Sequence, residues 1–512
     1  MPIPPVKVMP VIVIAGIMGS NLRARTSAGA KKNDELEPGQ QAWRPPNGKI
    51  AGLKEADKWE VREPAVRQRI LDGDTLEVDP GGDISLPSIS TEIPLDLSTA
   101  RDRGWGEIHA DSYGQLLSSL YVNLNRTFNN SWGKLQMESF WASVNSRDRK
   151  DWGTEKTGIC SEITPAELAK VAEFHYPVYA FGYNWLNSNE VSARRLRERI
   201  EAIITYWTGK KQQCNSVILV THSMGGMVAR ACAKQIPAKV SLVVHGAMPA
   251  LGAPVCYRRV ACGTEASSPG KGWLDRYAMG KFSEIAGPTA CETTPVLALS
   301  SGPLELMPTH LYPKPWLFAE SNSTHGQRSE ALQTSGENPY RFYRDFTSWY
   351  RAIDPELADP AEKYAGNVGN KIAEAIGQAE RFHTQILGNF YHPNTAAFYS
   401  IDDEERSFGH CRWIVEGSRP LPGTNSLKTG KPISQTHTGE RNVEFGGGTI
   451  LFRHSEQDTS GDGTVPRQSG SGVDGNVQAA FATRGYTHQD CYSNDAMLAL
   501  THQLIVKLLQ RI

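Results

Sequence analysis

The apolar positions fall into two alternating patterns. Val8 to Ile14 is β-branched and apolar, and it breaks at Ala15-Gly16-Ile17-Met18-Gly19-Ser20. That pattern predicts a short buried strand running into a glycine-containing turn. Tyr176 to Phe181 predicts a second strand, which exits into Gly182-Tyr183-Asn184-Trp185. From Ser192, the expected N-cap, Leu196, Ile200, Ile203, Ile204 and Trp207 recur on one face with Arg and Glu opposite, the spacing of an amphipathic helix. Ser216 to Thr221 is a nearly continuous apolar run and reads as a buried strand. His222-Ser223-Met224-Gly225-Gly226 follows at once, then a helix from about Met227 to Gln235, then another buried strand over Val240 to His245. Strands alternating with helices predict an α/β protein whose mostly parallel central sheet is flanked by helices on both faces.

Two stretches interrupt this alternation. Residues 21–165 are polar and broken by Pro, Gly and Asp clusters, with short helices such as Ser112 to Leu124. Residues 253–440 hold an amphipathic helix over about Pro360 to Ile386 and a loop-rich stretch from Ser418 to Gly448. Both are expected to be cap or lid insertions, and residues 1–20, 166–252 and 441–512 the core. The Pro360–Ile386 helix is the lid candidate, although an amphipathic helix is more commonly packed within a cap. Thr449 to Arg453 is expected as a late strand of the central sheet. Asn494 to Leu509 is expected as a C-terminal helix burying Met497, Leu498, Leu500, Leu504, Ile505 and Leu508. No repeat at solenoid or propeller periods is present.

Composition narrows the function classes. Of 512 residues, 39% are hydrophobic and 21% charged, an ordinary globular balance. Lys plus Arg is 54 and Asp plus Glu 55, so the net charge of −1 gives no electrostatic basis for binding nucleic acid or strongly anionic surfaces. The first residues, Met1-Pro-Ile-Pro-Pro-Val-Lys-Val, lack a basic region followed by a long apolar one. No run approaches the roughly 18 apolar residues that span a bilayer. The expectation is a protein without an export signal, either cytoplasmic or secreted by a signal-independent route. The eight cysteines form no CxxC pair. They are expected as free thiols, with Cys256 and Cys262 close enough in sequence to bridge.

The strongest local signal is the strand-turn-helix at Ser223. A strand that stops and reverses into a helix holds its turn residue in a strained conformation and lifts the serine oxygen clear of the sheet. It also aims the helix's free N–H groups at any oxygen bearing negative charge there. Crowding favours small residues two positions either side; Gly225 fits, and Thr221 departs. An ordinary serine N-cap is the bland alternative. A serine nucleophile needs a base oriented by a carboxylate, and in this fold the chain order is Ser, acid, His. Asp462, within Gly461-Asp-Gly-Thr-Val-Pro466, is the expected acid, read as following the strand at Thr449. Taken alone, it would be a solvated hairpin aspartate. After it come only His488, in a loop, and His502, inside the C-terminal helix. His488 is therefore the expected base and His502 structural, and His222, beside the nucleophile, is assigned a packing role. The oxyanion of an acyl-transfer intermediate needs two N–H donors. Met224 is expected to supply one and Ile17 the other, with Met18 as the alternative to Ile17. No cofactor is required. Calcium at Asp402-Asp403-Glu404-Glu405 or Asp458–Asp462 is the weaker reading, because neither stretch has calcium-loop spacing.

Taken together, these segments resemble the lecithin:cholesterol acyltransferase-like lipases. Ala15-Gly16-Ile17-Met18-Gly19-Ser20-Asn21-Leu22 is similar to their opening strand and oxyanion loop. Phe181 to Trp185 is similar to their aromatic turn, Thr221 to Gly226 to their nucleophile elbow, and Gly461 to Pro466 to their acid loop. Ser300 to Pro308 is similar to a segment that lines the acyl site. The chain also resembles glycosylphosphatidylinositol inositol-deacylase-like hydrolases, which include lipase effectors of type VI secretion. The resemblance implies an α/β-hydrolase fold and a serine lipase or phospholipase acting on a lipid or phospholipid substrate, with transient contact to a membrane surface. For a secreted effector it also implies an immunity protein as partner. An acyltransferase using the same triad and a non-lipid carboxylesterase are the enzymatic alternatives. A non-catalytic binding module is the alternative of another class.

Overall fold

In a computed structural model of the chain, residues 6–88, 94–131, 134–156, 161–266, 273–323, 326–333, 336–415, 417 and 419–512 are described. A seven-stranded sheet runs through the molecule in the order Val178–Phe181, Val11–Ile14, Val217–His222, Val240–Gly246, Thr395–Ser400, Ala479–Thr483, Thr154–Glu155. Its first six strands are parallel, and the two-residue strand Thr154–Glu155 closes one edge antiparallel. Alternate side chains of each strand enter opposite layers. Val11, Val13, Ile218 and Val220 pack with the helices Ala110–Leu124 and Asp495–Leu509. Ile12, Ile14 and Leu219 pack with the helices Asn189–Gly209 and Gly225–Gln235. This is the α/β-hydrolase fold.

A second body has its own sheet and hydrophobic core. Its six-stranded sheet runs Gly326–Ala331, Leu317–Ser323, Cys411–Val415, Gly448–His454, Arg441–Phe445, Lys431–Gln435. Trp316, Trp349 and Trp413 are fully buried in its core.

Several expectations change here. The strand at Thr449 belongs to this second sheet, not to the central one, because its partners are Arg441–Phe445 and Cys411–Val415. The stretch 418–448, expected as loop, contributes two of that sheet's strands. Conversely, Thr395–Ser400 lies inside 253–440 yet is a central strand, and the helix Ala110–Leu124 lies inside 21–165 yet covers the central sheet. Both late central strands are alanine-rich. They pair Ala396 with Ala479, Ala397 with Ala480 and Phe398 with Phe481. They lack the β-branched density that marks a strand in sequence.

The helix Asn189–Gly209 starts a turn before its expected cap. Ser188 accepts from the Glu190 N–H, and Ser192 is buried within the helix. The cause is tertiary: the Glu305 carboxyl group reaches in from the second insertion and takes the Asn189 N–H at 2.8 Å and the Ser188 hydroxyl at 2.6 Å. The Pro360–Ile386 helix is shorter than expected, spanning Val368–Arg381 before a π-helical turn over Phe382–Leu387. Its Ile372, Ala375, Ile376 and Ala379 are buried in the core of the second body, so it packs the cap. The seven cysteines among the described residues carry free thiols, and Cys160 lies outside those residues. Among the described residues no helix is long and apolar enough to cross a membrane.

Candidate active site

The strand Val217–His222 ends at the sheet's carboxyl edge and turns directly into the helix Gly225–Gln235. Ser223 makes that turn with φ of 52°, a left-handed conformation that costs a non-glycine residue energy. Its N–H donates to the Gly246 carbonyl at 3.0 Å. On the far side of the turn backbone passes very close. A Cβ on Gly225 would lie 2.4 Å from the Ala15 carbonyl oxygen and 2.6 Å from that of Ile14. On the near side Thr221 is accommodated where a glycine was expected. It is fully buried, and its hydroxyl pairs with His245 Nδ1 at 2.8 Å.

The structure brings the three sequence-expected residues into one line. His488 Nε2 lies 2.8 Å from Ser223 Oγ, and His488 Nδ1 lies 2.8 Å from Asp462 Oδ2. The other oxygen of Asp462 accepts the N–H groups of Thr464 at 3.0 Å and Val465 at 2.7 Å. Its own carbonyl accepts the His488 N–H at 2.6 Å. Asp462 is buried, as a carboxylate can be only when its oxygens are satisfied. The acid loop does not follow the Thr449 strand. It follows the short strand Thr459–Gly461, which pairs antiparallel with Asp402–Ser407. The acidic stretch Asp402–Glu405 lies wholly within the strand Asp402–Ser407. Asp458 holds Arg412 and His410, both through Oδ2, and among the described residues no three His, Cys, Asp or Glu side chains are grouped to hold a metal ion.

The loop after the strand Val11–Ile14, expected to supply an oxyanion donor, is fixed group by group. The Ala15 carbonyl accepts from the Tyr183 hydroxyl, the Gly16 N–H donates to the Tyr113 hydroxyl, and the Met18 carbonyl accepts from the Trp43 indole. The Gly16 carbonyl takes the Gly19 N–H. Among the described residues, no acceptor engages the N–H groups of Ile17, Met18 or Met224. Met18 has φ of 61°, so the strain of the site extends to this loop. A hydroxyl held this way can pass its proton to His488 while an adjacent carbon is attacked, with the free N–H groups near the developing charge.

An apolar cavity opens at Ser223. Ile17, Met18, Val255, Val260, Leu297 and Val465 line it, together with Pro303 and Leu306 of the Ser300–Pro308 segment. Val255, Cys256, Arg259 and Val260 come from the helix Pro254–Cys262, and Phe282 and Ala286 from the helix Trp273–Ala286; these two, not the Pro360–Ile386 helix, supply the cap's helical wall. Sequence reading missed the helix Trp273–Ala286 because its flanking residues carry Gly, Ser and Pro. Among the described residues Arg259 is the charged lining side chain, and Glu265 neutralises it with paired contacts of 2.5 and 3.2 Å. His222, expected merely to pack, bonds to the Tyr113 hydroxyl through Nδ1 and to the His488 carbonyl through Nε2, each at 2.8 Å. Nothing in the sequence spacing marks this contact. His502 is buried in its helix, with Nδ1 on the Leu498 carbonyl.

The fold and the carboxyl-edge serine place the chain in the α/β-hydrolase class. Within it, residues 172–262 match the PGAP1-like alpha/beta domain, a span that includes the aromatic turn and the Ser223 elbow. Over nearly its whole length the chain is similar to a chain of a solved structure described as the crystal structure of the Tle4-Tli4 complex. The identity is 27%, the TM-score 0.79, and the alignment covers 98% of each chain. Comparison with curated proteins gave no match. The protein is a hydrolase.

Proposed function

We propose that the protein is a serine lipase or phospholipase in which Ser223 is the nucleophile, His488 the general base and acid, and Asp462 the group that orients His488. The observation that carries this reading is the Ser223–His488–Asp462 line at the mouth of an apolar cavity. Ser223 Oγ attacks the ester carbonyl carbon as its proton passes to His488 Nε2. The carbonyl oxygen becomes an oxyanion facing the N–H groups of Met224 and Ile17. Collapse breaks the bond to the leaving alcohol, which takes the proton from His488. Water then repeats the sequence on the acyl-enzyme and releases the fatty acid. The acyl chain occupies the cavity, whose apolar wall supplies binding without competing for the polar steps. No cofactor takes part.

Full-length similarity to a chain of the Tle4-Tli4 complex supports a further reading. The protein acts as an effector on membrane lipids, is exported through type VI secretion, and is restrained in its producer by an immunity partner.

The test is fatty-acid release from mixed phospholipid vesicles by wild type and Ser223→Ala. Wild type should release fatty acid, and the variant should lose about 10⁴- to 10⁶-fold in kcat. If neither acts on vesicles while a fluorophosphonate labels wild type alone, the lipid substrate is wrong and a non-lipid ester hydrolase takes its place. Transfer to a labelled acceptor alcohol in preference to water would make the enzyme an acyltransferase.

A further inference from the structure

Behind the triad lies a second line of hydrogen bonds whose proton directions are all determined. The His488 carbonyl can only accept, so His222 Nε2 must carry the proton between them. Burial holds His222 far below the usual imidazole range, at about 3, so the ring is neutral and its Nδ1 is an acceptor. Tyr113 must therefore donate its O–H to Nδ1, and the Tyr113 oxygen is left to accept from the Gly16 N–H. The order is Gly16 N–H to Tyr113, Tyr113 O–H to His222, and His222 N–H to the His488 carbonyl. All four residues come from different elements: the oxyanion loop, the helix Ala110–Leu124, the end of the strand Val217–His222 and the catalytic loop.

The fit around this line is tight. A Cβ on Gly16 would stand 3.0 Å from His222 Nδ1 and 2.9 Å from Ser223 Cβ, and a Cβ on Gly19 would stand 2.9 Å from the Tyr113 oxygen. Tyr113 and His222 are both buried. The backbone of His488 is thereby gripped at both ends, its N–H by Asp462 and its carbonyl by His222.

We propose that Tyr113 and His222 are positioning residues that hold the oxyanion loop and the base His488 in register with each other across Ser223. Neither touches the reacting atoms. The proposal rests on the triad reading given above. With its polarity fixed, the line cannot reverse when His488 gains a proton during turnover. Loss of any one donor leaves both ends of the site to settle separately.

The experiment compares wild type, Tyr113→Phe, His222→Phe, the double variant, His222→Gln and Ser223→Ala. Three quantities are read: kcat and KM on a soluble nitrophenyl ester, the rate of fluorophosphonate labelling of Ser223, and the thermal midpoint as a check on folding. Tyr113→Phe removes one oxygen; kcat and labelling should fall about 10- to 100-fold, the usual cost of removing a group that orients a reactive residue, with KM changed less than about two-fold. The double variant should be no slower than the slower single variant, since both break one chain. Glutamine offers an acceptor and a donor across one carbon, as the imidazole does, so His222→Gln should keep at least about ten times the kcat of His222→Phe. Wild-type kcat in folded Tyr113→Phe, multiplying losses in the double variant, or equal losses for Gln and Phe at 222 would overturn the proposal. Should Tyr113→Phe not fold, the two substitutions at 222 decide. Persistent turnover in Ser223→Ala would instead sink the triad reading itself.

Discussion

Asp462 has one oxygen committed to two backbone N–H groups and the other to His488. Asp462→Asn keeps the shape but offers His488 Nδ1 a donor where it needs an acceptor. The amide oxygen will stay with the N–H groups of Thr464 and Val465, and His488 will turn to the tautomer protonated on Nε2. That nitrogen then cannot take the Ser223 proton. The expected outcome is a fall in kcat/KM of roughly 10⁴-fold with little change in the thermal midpoint, measured on a soluble ester. The pairing of Asp462 with His488 was legible because the Gly-Asp-Gly turn and chain order point to it together. The role of His222 was not, because a bond to a backbone carbonyl 266 residues away leaves no trace in spacing.

At the scale of elements, the elbow depends on a strand and a helix approaching closer than any side chain allows. Gly225→Ala places a methyl group against the Ala15 and Ile14 carbonyls, where backbone must give way. It should destabilise the fold by about 1–3 kcal/mol, read from denaturant midpoints, and should lower activity by displacing Ser223 from His488. A second element-scale device is Glu305, which joins the cavity-lining segment to the start of the helix Asn189–Gly209. Burial pushes its carboxyl up to about 8, against the pull of its donors Ser188 and Asn189. An unfolded carboxyl releases its proton near 4.5. Between these values the unfolded chain has lost a proton that the folded chain keeps, so stability falls as pH rises, by roughly 1.4 kcal/mol per unit. Glu305→Gln removes that slope. Compared with wild type by urea unfolding near pH 5 and near pH 8, the variant should gain relative stability at the higher pH. An unchanged difference at both would mean that Glu305 is ionised in the fold.

Across the whole molecule, histidines dominate the acid side. His175, His222, His245, His383 and His502 are buried and His454 half-buried, with their pKa values pressed down to between about 3 and about 4, loss of solvent being the largest cause in each. Each stays neutral in the fold while the unfolded chain takes up a proton below about 6.5. Their stabilisation is complete above that pH and is lost as pH falls toward their folded values. The denaturant midpoint should drop steeply from about pH 6.5 to about pH 5, even though Glu305 favours the lower pH, because six groups oppose one. A flat midpoint over that range would mean these rings are charged or exposed. The sequence by itself determined the alternation of strand and helix, the Ser223 turn, the order of serine, acid and histidine, and the apolar stripe of the last helix. These are local patterns of period and turn chemistry, carried by contiguous residues. Tertiary structure alone decided which sheet each late strand joined, since Thr395–Ser400 and Ala479–Thr483 are strands through their neighbours and Gly448–His454 follows its partners into the cap. It likewise decided which helices face the cavity, where the helix Asn189–Gly209 begins, and that His222 holds His488. Those outcomes depend on contacts between residues distant in the chain, which exist only once the backbone has brought them within hydrogen-bonding and packing distance.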